Sequence, residues 1–202
     1  MASYTIFGAT GDGVIESTNA TYSTARSGSG LAATTVNVIV GQTLDAGTYG
    51  CWEGFFAFDT SSIVDAETVT AVTFGMYGLG DFSTTDFTLT AADSNWGATL
   101  TTADWVAGAS LAGLTTWGTL TSVGWGVESY NSLTGNSSFM SGINKTGSTY
   151  FLVYSSRHSG NNTPTGTESV QVYGADEAGT TKDPKLDITT SAFGFPMTVA
   201  IL

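Results

Sequence analysis

The chain has 202 residues, of which 41% are hydrophobic and 12% aromatic, a composition too apolar for a disordered protein. Its 26 glycines, its many threonines and serines and the small share of charged residues, 11%, favour strands and turns over a helical bundle. A formal net charge of −12 repels phosphate groups, so we expect no nucleic-acid partner.

Cys51 is the only cysteine, so core burial and strand pairing must hold the fold without an internal disulfide. The first eight residues lack the basic and apolar regions of a secretory signal peptide. No apolar run approaches the roughly 20 residues that span a bilayer, and we expect no membrane partner. A hydroxyl-rich surface without an export signal is typical of a piece of a larger secreted chain. It is equally typical of a particle component made in a host cytoplasm and released by lysis.

The clearest pattern is a pair of alternating segments separated by a Thr-Ser-Ser turn. Phe55 and Ala57 lie on one face of an extended segment, Phe56 and Phe58 lie on the other, and a second alternation follows at 69–76. This pattern predicts two neighbouring strands. Further strands are predicted, in chain order, at 14–26 (one or two short strands), 35–40, 82–91, 149–154, 168–174 and 185–190.

Residues 136–143 are the one segment with a helical pattern, because Asn136 can cap a helix whose apolar residues follow at helical spacing. Residues 96–134 are less regular and are expected to form long loops with a strand or two, with one helical turn starting at Thr102. Nine or ten short strands predict an all-β, two-sheet antiparallel sandwich of jelly-roll topology with at most one short helix. The expected domain spans 1–190.

Residues 191–202 are predicted to form an apolar arm or an added strand. The alternating apolar positions of this segment are Phe193, Phe195, Met197, Val199 and Ile201. An exposed apolar strand invites aggregation and must be covered. We therefore expect the segment either to complete its own sheet or to add to the sheet edge of a neighbouring subunit.

Several short motifs occur in the order found in one group of β-domains. These motifs are Tyr22-Ser-Thr-Ala-Arg-Ser-Gly, Val40-Gly-Gln, Glu53-Gly-Phe-Phe-Ala-Phe-Asp-Thr-Ser-Ser-Ile63, Ser155-Ser-Arg, and Asp183-Pro-Lys-Leu-Asp-Ile188. Over 14–190 the chain resembles the DNRLRE-like jelly-roll modules, which occur in bacterial surface proteins, beside polysaccharide-degrading enzymes and in phage virion proteins. The resemblance implies a jelly roll. Glu53 stands at or next to the position of a family arginine, and 191–202 extend beyond the family's closing strand.

Candidate catalytic and metal-binding groups are few. A glycosidase needs two carboxylates across a cleft, but the acids at 59–93 sit in Thr/Ser/Gly surroundings that are typical of turns, so we expect no enzymatic activity. No zinc, redox or hydrolase motif is present, and we expect no cofactor, with calcium as the alternative. The two candidate calcium sets are Asp176, Glu177 and Asp183, and Asp81, Asp86 and Asp93.

Four tryptophans in the irregular region are the candidate contact residues: Trp96, Trp105, Trp117 and Trp125. Indole faces stack on sugar rings, which would make these residues a glycan site. The alternative is that they fill the ends of the sandwich or a subunit interface. The residues alone leave both interpretations open.

The first functional hypothesis is a non-enzymatic phage virion protein on the particle surface, either a capsid decoration or a fibre subunit. Its expected partners are other copies of itself and a major capsid or tail protein. The second hypothesis is a carbohydrate-binding adhesin or module that attaches to host-surface polysaccharide. The two are compatible, since a virion surface protein can also bind glycans.

Overall fold

A computed structural model describes residues 1–97, 99–175 and 178–191. Over those residues the chain forms twelve strands, four short α-helices and one 3-10 turn, Thr102–Asp104. The strands are β1 (Ala2–Phe7), β2 (Gly13–Asn19), β3 (Leu31–Thr34), β4 (Asn37–Asp45), β5 (Thr48–Asp59), β6 (Thr68–Asp81), β7 (Thr88–Asp93), β8 (Thr116–Thr121), β9 (Tyr130–Thr134), β10 (Ser148–Ser155), β11 (Glu168–Tyr173) and β12 (Lys185–Ser191). The helices are α1 (Tyr22–Gly28), α2 (Gly108–Leu111), α3 (Ser137–Gly142) and α4 (Ser156–Ser159).

Antiparallel pairing joins the strands into one curled sheet, which confirms the all-β prediction. The main path runs β1-β12-β6-β11-β4-β5-β10-β7-β8, while β2 and β3 extend from β5 and β9 extends from β6. A bridge between Gly118 and Gly135 brings β8, at one end of this path, beside the end of β9. The sheet therefore curls far enough for its distant parts to touch.

β5 is the strand at which the sheet divides. Trp52 is opposite Gly41 of β4 and Glu16 of β2, and Gly54 is opposite Val153 of β10 and also pairs with β2. Because a strand has only two edges, β4 and β10 must share the edge of β5 that β2 does not use. The two strands part at Glu53. From there the curled sheet continues in two parts, which we call leaves: one runs through β4, β11, β6, β12 and β1, and the other through β10, β7 and β8.

The larger core lies between these leaves and is centred on phenylalanine. Phe74 of β6 contacts Phe56 and Phe58 of β5, with ring centroids 4.9 and 5.9 Å apart, and Phe151 of β10 joins them at 4.9 Å from Phe74. The prediction that β5 and β6 are neighbouring strands is therefore wrong. Their eight-residue connection is long enough to cross from one leaf to the other, so the two strands face each other across the core.

A second core covers the opposite face of β5. Phe55 packs edge-on against Trp96, with centroids 6.0 Å apart, and Leu111 and Leu152 are buried beside them. The alternation of Phe55 with Phe56 thus separates the two cores, as the sequence pattern predicts. The strand is covered on both faces between Glu53 and Phe58, which explains the unbroken run of buried residues there.

The helices show where sequence patterning succeeded and failed. α3 is confirmed, and the Asn136 side chain accepts hydrogen bonds from the Ser138 and Phe139 amides as expected of an N-cap. The expectation of at most one short helix is wrong, because α1, α2 and α4 also form. α1 occupies residues that are predicted to form one or two short strands, and α4 follows the strand predicted at 149–154. Both are too short to show helical periodicity, and packing rather than propensity stabilises them.

Two further predictions concern the ends and surface of this fold. The segment 191–202 is predicted to form an arm or an added strand, and its first residue, Ser191, is the last residue of β12. The five apolar residues named for this segment lie outside the described residues: Phe193, Phe195, Met197, Val199 and Ile201. None of the described helices has both the length and the apolar character needed to cross a membrane.

Candidate functional site

The amino-terminal half of β5 carries two sets of side chains on opposite faces. Cys51 and Glu53 point toward α1 and α4 and are fully buried. Gly50 and Trp52 point the other way, into a surface groove. Since side chains alternate along a strand, this one segment lines both a sealed polar region and an open one.

The sealed region is a buried polar cluster that consists of Arg26, Glu53 and His158. Arg26 of α1 donates from Nε to the carbonyl of His158 at 2.7 Å and from Nη2 to the carbonyls of Gly108 and Ser159 at 2.6 and 2.7 Å. One guanidinium group can donate to three carbonyl oxygens at once because its N–H donors are fixed in one plane and point in different directions. Arg26 thereby ties α1 to α2 and α4.

Glu53 and His158 are the two ionisable groups beneath this tie. Glu53 Oε2 accepts from the Val106 amide at 3.1 Å, while Oε1 lies 3.8 Å from His158 Nδ1, too far for a hydrogen bond. Both side chains are 0% exposed. Trp105 covers His158 with ring centroids 5.4 Å apart, and the carboxyl and the imidazole share one buried site.

Burial controls the protonation of both groups. It raises the pKa of Glu53 well above its usual value, with only a smaller opposing effect from the Val106 amide. It lowers the pKa of His158 to about 4. The neutral acid and the neutral imidazole are therefore favoured, as expected for groups removed from water.

A second polar network lies beside the cluster and involves α1, α4 and β11. Tyr22 donates to Gln42 Oε1 at 2.8 Å, Gln42 Nε2 donates to Glu168 Oε2 at 2.8 Å, and Arg157 Nε donates to the same carboxylate oxygen at 2.5 Å. Asn162 adds its carbonyl as an acceptor for Gln42 at 2.6 Å. The sequence motifs around 22–28, 40–42, 53 and 155–157 thus meet in one place, where they hold the short helices against the sheet.

The four predicted tryptophans are spread over the interior and do not form one surface. Trp96, Trp117 and Trp125 are 7%, 3% and 7% exposed, and Trp117 stacks on Phe139 at 4.6 Å. Trp105 is half-buried against His158. This placement favours the alternative in which these rings fill the interior of the domain.

Trp52 lines a groove beside β2, β5 and β4, on the face of β5 opposite Cys51 and Glu53. The groove has a volume of about 440 Å³. Cross-strand pairing builds its floor, because Glu16 and Gly41 stand opposite Trp52, and Thr18 and Thr43 stand opposite Gly50. The lining residues are Glu16, Thr18, Thr43, Asp45, Ala46, Thr48, Gly50, Trp52 and Thr167.

Glycines at 50 and 41 shape the strands around Trp52. A methyl group at Gly50 would lie 3.4 Å from Trp52 Cζ2 and 3.6 Å from Cη2, so the six-membered ring reaches back toward Gly50. Gly41 has a φ of +143°, and a Cβ there would lie 2.2 Å from the Glu168 carbonyl oxygen. Glycine is required at 41 for this close approach of β4 to β11, and Trp52 is half-buried where it lines the groove.

The acidic residues considered for calcium do not converge in the described part of the chain. Asp81 and Asp93 end β6 and β7, and Asp86 accepts a hydrogen bond from Ser122 at 3.1 Å. Residues 1–97, 99–175 and 178–191 contain no group of three or more His, Cys, Asp or Glu side chains placed to hold a metal ion. Asp176 and Glu177 of the other candidate set lie outside the described residues.

Sequence reasoning missed both regions of interest for identifiable reasons. Trp52 is not among the tryptophans that the sequence singles out, although its alternation with Cys51 and Glu53 on β5 indicates that it faces away from them. Arg26 and His158 are separated by 132 positions, and no local pattern announces their contact.

Comparisons with known proteins leave the assignment to the geometry. No protein-family model matches the chain, and no curated protein matches it.

Proposed function

We propose that the chain is a non-enzymatic structural protein of a virion surface, a capsid decoration or fibre subunit built on a two-sheet jelly-roll domain. The division of the sheet at Glu53 into two leaves around a phenylalanine core supports the jelly-roll part of the proposal. The outer edge of β1 supports the proposal that the protein assembles, because another copy or a capsid or tail protein can add a strand to this edge.

Hydrogen bonding at the end of β1 identifies the groups on that edge. The Gly8 amide donates to the carbonyl of Pro184, its cross-strand neighbour, at 2.7 Å. Bonded and non-bonded pairs alternate along an antiparallel ladder, so the even-numbered residues of β1 bond to β12. Ser3, Thr5 and Phe7 direct their amides and carbonyls to the opposite edge. Within the described residues, β12 is the one strand paired with β1.

The sealed position of the reactive side chains supports a non-enzymatic role. Cys51, Glu53 and His158 are each 0% exposed, and they line none of the described surface grooves. Burial raises the pKa of the Cys51 thiol to about 12, so the nucleophilic thiolate is strongly disfavoured. These groups pack the fold where no substrate can reach them.

A proline double variant tests assembly through the edge. Ser3→Pro/Thr5→Pro removes two outward-facing amides and leaves the β12-facing amides intact, since proline is tolerated on the solvent side of an edge strand. Light scattering after size-exclusion chromatography should give oligomers for the wild type and monomers for the variant, with similar thermal unfolding. Ser3→Ala/Thr5→Ala keeps both amides and should still assemble.

Two outcomes would contradict this assembly. A proline variant that is folded and as oligomeric as the alanine control places the interface elsewhere. A wild type that stays monomeric, alone and with capsid or tail particles, removes the structural role.

Carbohydrate binding is the second candidate function, and the Trp52 groove favours it. An indole ring beside hydroxyl and carboxylate groups suits the mixed apolar and polar faces of a sugar. This function is compatible with a place on a particle surface.

A further inference from the structure

We propose that the Trp52 groove binds a segment of an uncharged polysaccharide, with one sugar ring on the indole of Trp52. The proposal rests on the second candidate function and names its site, which differs from the four tryptophans that the sequence singled out. Its evidence is the arrangement of aromatic, hydroxyl and carboxylate groups on the open face of β5.

The aromatic surface has the form that a sugar ring needs. A pyranose has an apolar face of C–H groups that packs on an aromatic ring, a contact in which the ring must remain uncovered. Trp52 is half-buried and lines the groove, with Gly50 before it on the same face and Gly41 across from it. A side chain at Gly50 would contact the indole ring.

Hydroxyl groups surround this surface on three strands. Thr18 and Thr43 flank Gly50, and Thr43 Oγ1 lies 3.1 Å from Thr167 Oγ1. Threonine hydroxyls both donate and accept hydrogen bonds, as sugar hydroxyls do. The groove therefore offers several hydroxyl groups around one aromatic ring.

Charge selects an uncharged sugar. Glu16 and Asp45 are the charged residues of the lining, and both are acidic. Carboxylates accept hydrogen bonds from sugar hydroxyls but repel sialic acids, uronic acids and phosphorylated or sulfated sugars. The net charge of −12 strengthens this selection against anionic sugars. The described lining residues include no Lys, Arg or His side chain that could bind the acidic group of such a sugar.

The shape of the groove suits a chain more than a single sugar. Its volume of about 440 Å³ is within the range of small-ligand sites. The hairpin turn at Ala46 and Gly47 borders the groove, which is open at the protein surface. An extended polysaccharide can therefore pass over Trp52 while one or two of its units make the contacts.

Affinity electrophoresis tests the site, with native gels that contain a neutral glucan, mannan or galactan, or an anionic polysaccharide as the contrast. The wild type should be retarded in at least one neutral gel, and Trp52→Ala should lose at least about tenfold in affinity. Trp52→Phe should retain part of the retardation because it keeps a smaller aromatic face. Tyr150→Ala changes a half-buried aromatic residue in a separate groove and should behave like the wild type.

The outcomes separate the site from the function. If the wild type is retarded and folded Trp52→Ala is retarded equally, the site is wrong while carbohydrate binding stands. If only the anionic gel retards the wild type, the selection for uncharged sugars is wrong. If no gel retards the wild type, both the site and the second candidate function fail, whereas the assembly proposal is unaffected.

Discussion

The two faces of β5 around Trp52 differ in what covers them. On one face, Cys51 and Glu53 are sealed under α1 and α4, and Arg26 closes the layer with three bonds to backbone carbonyls. On the other face, Trp52 lies in a groove lined by threonines and two carboxylates. The amino-terminal half of the strand thus carries Cys51 and Glu53 inside and the Trp52 ring beside the groove.

This difference indicates how the two faces contribute to the protein. Groups capable of acid-base or thiol chemistry pack the fold when they are buried and out of reach. A large aromatic ring that lines a surface groove gains less stability than a fully buried ring, and such rings are common at binding sites. Substitutions on the covered face should therefore change stability, and substitutions on the open face should change binding.

The largest effect is expected when the covered face loses Arg26. Arg26→Ala leaves the carbonyls of Gly108, His158 and Ser159 without their donor and should lower the free energy of unfolding by about 3–5 kcal/mol. Arg26→Lys keeps the charge but lacks the planar fork, and it should recover less than half of this loss. Urea unfolding measures both variants; a loss below ~1 kcal/mol for Arg26→Ala would show that the tie is unimportant.

Two tryptophan substitutions compare buried and open indoles directly. Trp117→Ala removes a ring that is 3% exposed and stacked on Phe139, and it should destabilise the fold by about 3–5 kcal/mol. Trp52→Ala should cost less, about 1–2 kcal/mol, since Trp52 is only half-buried. Thermal and urea unfolding check the order. Equal losses would contradict the distinction between the two faces.

Acid titration should separate Glu53 from His158. The folded-state pKa of His158 is lowered from 6.5 to about 4, so its contribution to stability is present above pH 6.5 and is lost as the pH falls toward 4. This contribution has an upper limit of ~3 kcal/mol. The pKa of Glu53 is raised above 4.5, so its contribution is present below pH 4.5 and is lost as the pH rises.

Single variants reveal these opposite slopes. Relative to Glu53→Gln/His158→Gln as the baseline, Glu53→Gln should lose stability between pH 6.5 and 4.5, and His158→Gln should gain stability over the same range. Urea unfolding at a series of pH values gives both curves. Parallel curves for the two single variants would show that the groups are not buried in neutral form.

A smaller effect is expected at the rim of the open face. Ala46 has a φ of +45° and precedes Gly47, with a φ of +83°, so the β4-β5 hairpin places a non-glycine residue in the left-handed region. Asparagine tolerates this conformation better, and Ala46→Asn should stabilise the protein by about 0.5–1 kcal/mol. A decrease in thermal stability would indicate that the turn has another geometry in solution.

The sequence predicted local features of the fold better than its long-range contacts. The alternation of Phe55 with Phe56 and the Asn136 cap depend on neighbouring residues, and both predictions are confirmed. The pairing of β5 was predicted wrongly because a Thr-Ser-Ser turn does not reveal whether the next strand returns alongside or crosses the core. Helix α1 was also missed, since Arg26 stabilises it through contacts more than 80 positions away.

The candidate site was even less accessible to sequence reasoning. The sequence predicted a contact site at the four tryptophans between positions 96 and 125. Two of them are instead packed by aromatic residues from other segments: Trp96 by Phe55 and Tyr150, and Trp117 by Phe139. Trp52 lines its groove together with residues of two other strands, Glu16 and Thr43 among them. Such complementarity between strands depends on register, which one unaligned sequence does not specify.

Thiol labelling of Cys51 is the most direct test of the covered face, because it is the only cysteine in the chain. At neutral pH and without denaturant, a soluble disulfide reagent should modify the wild type only as fast as the fold opens, and Arg26→Ala should react markedly faster. Unfolded protein should react at once with one equivalent. Complete labelling of folded wild type within the mixing time would contradict the sealed layer beneath α1 and the structural role assigned to Glu53 and His158.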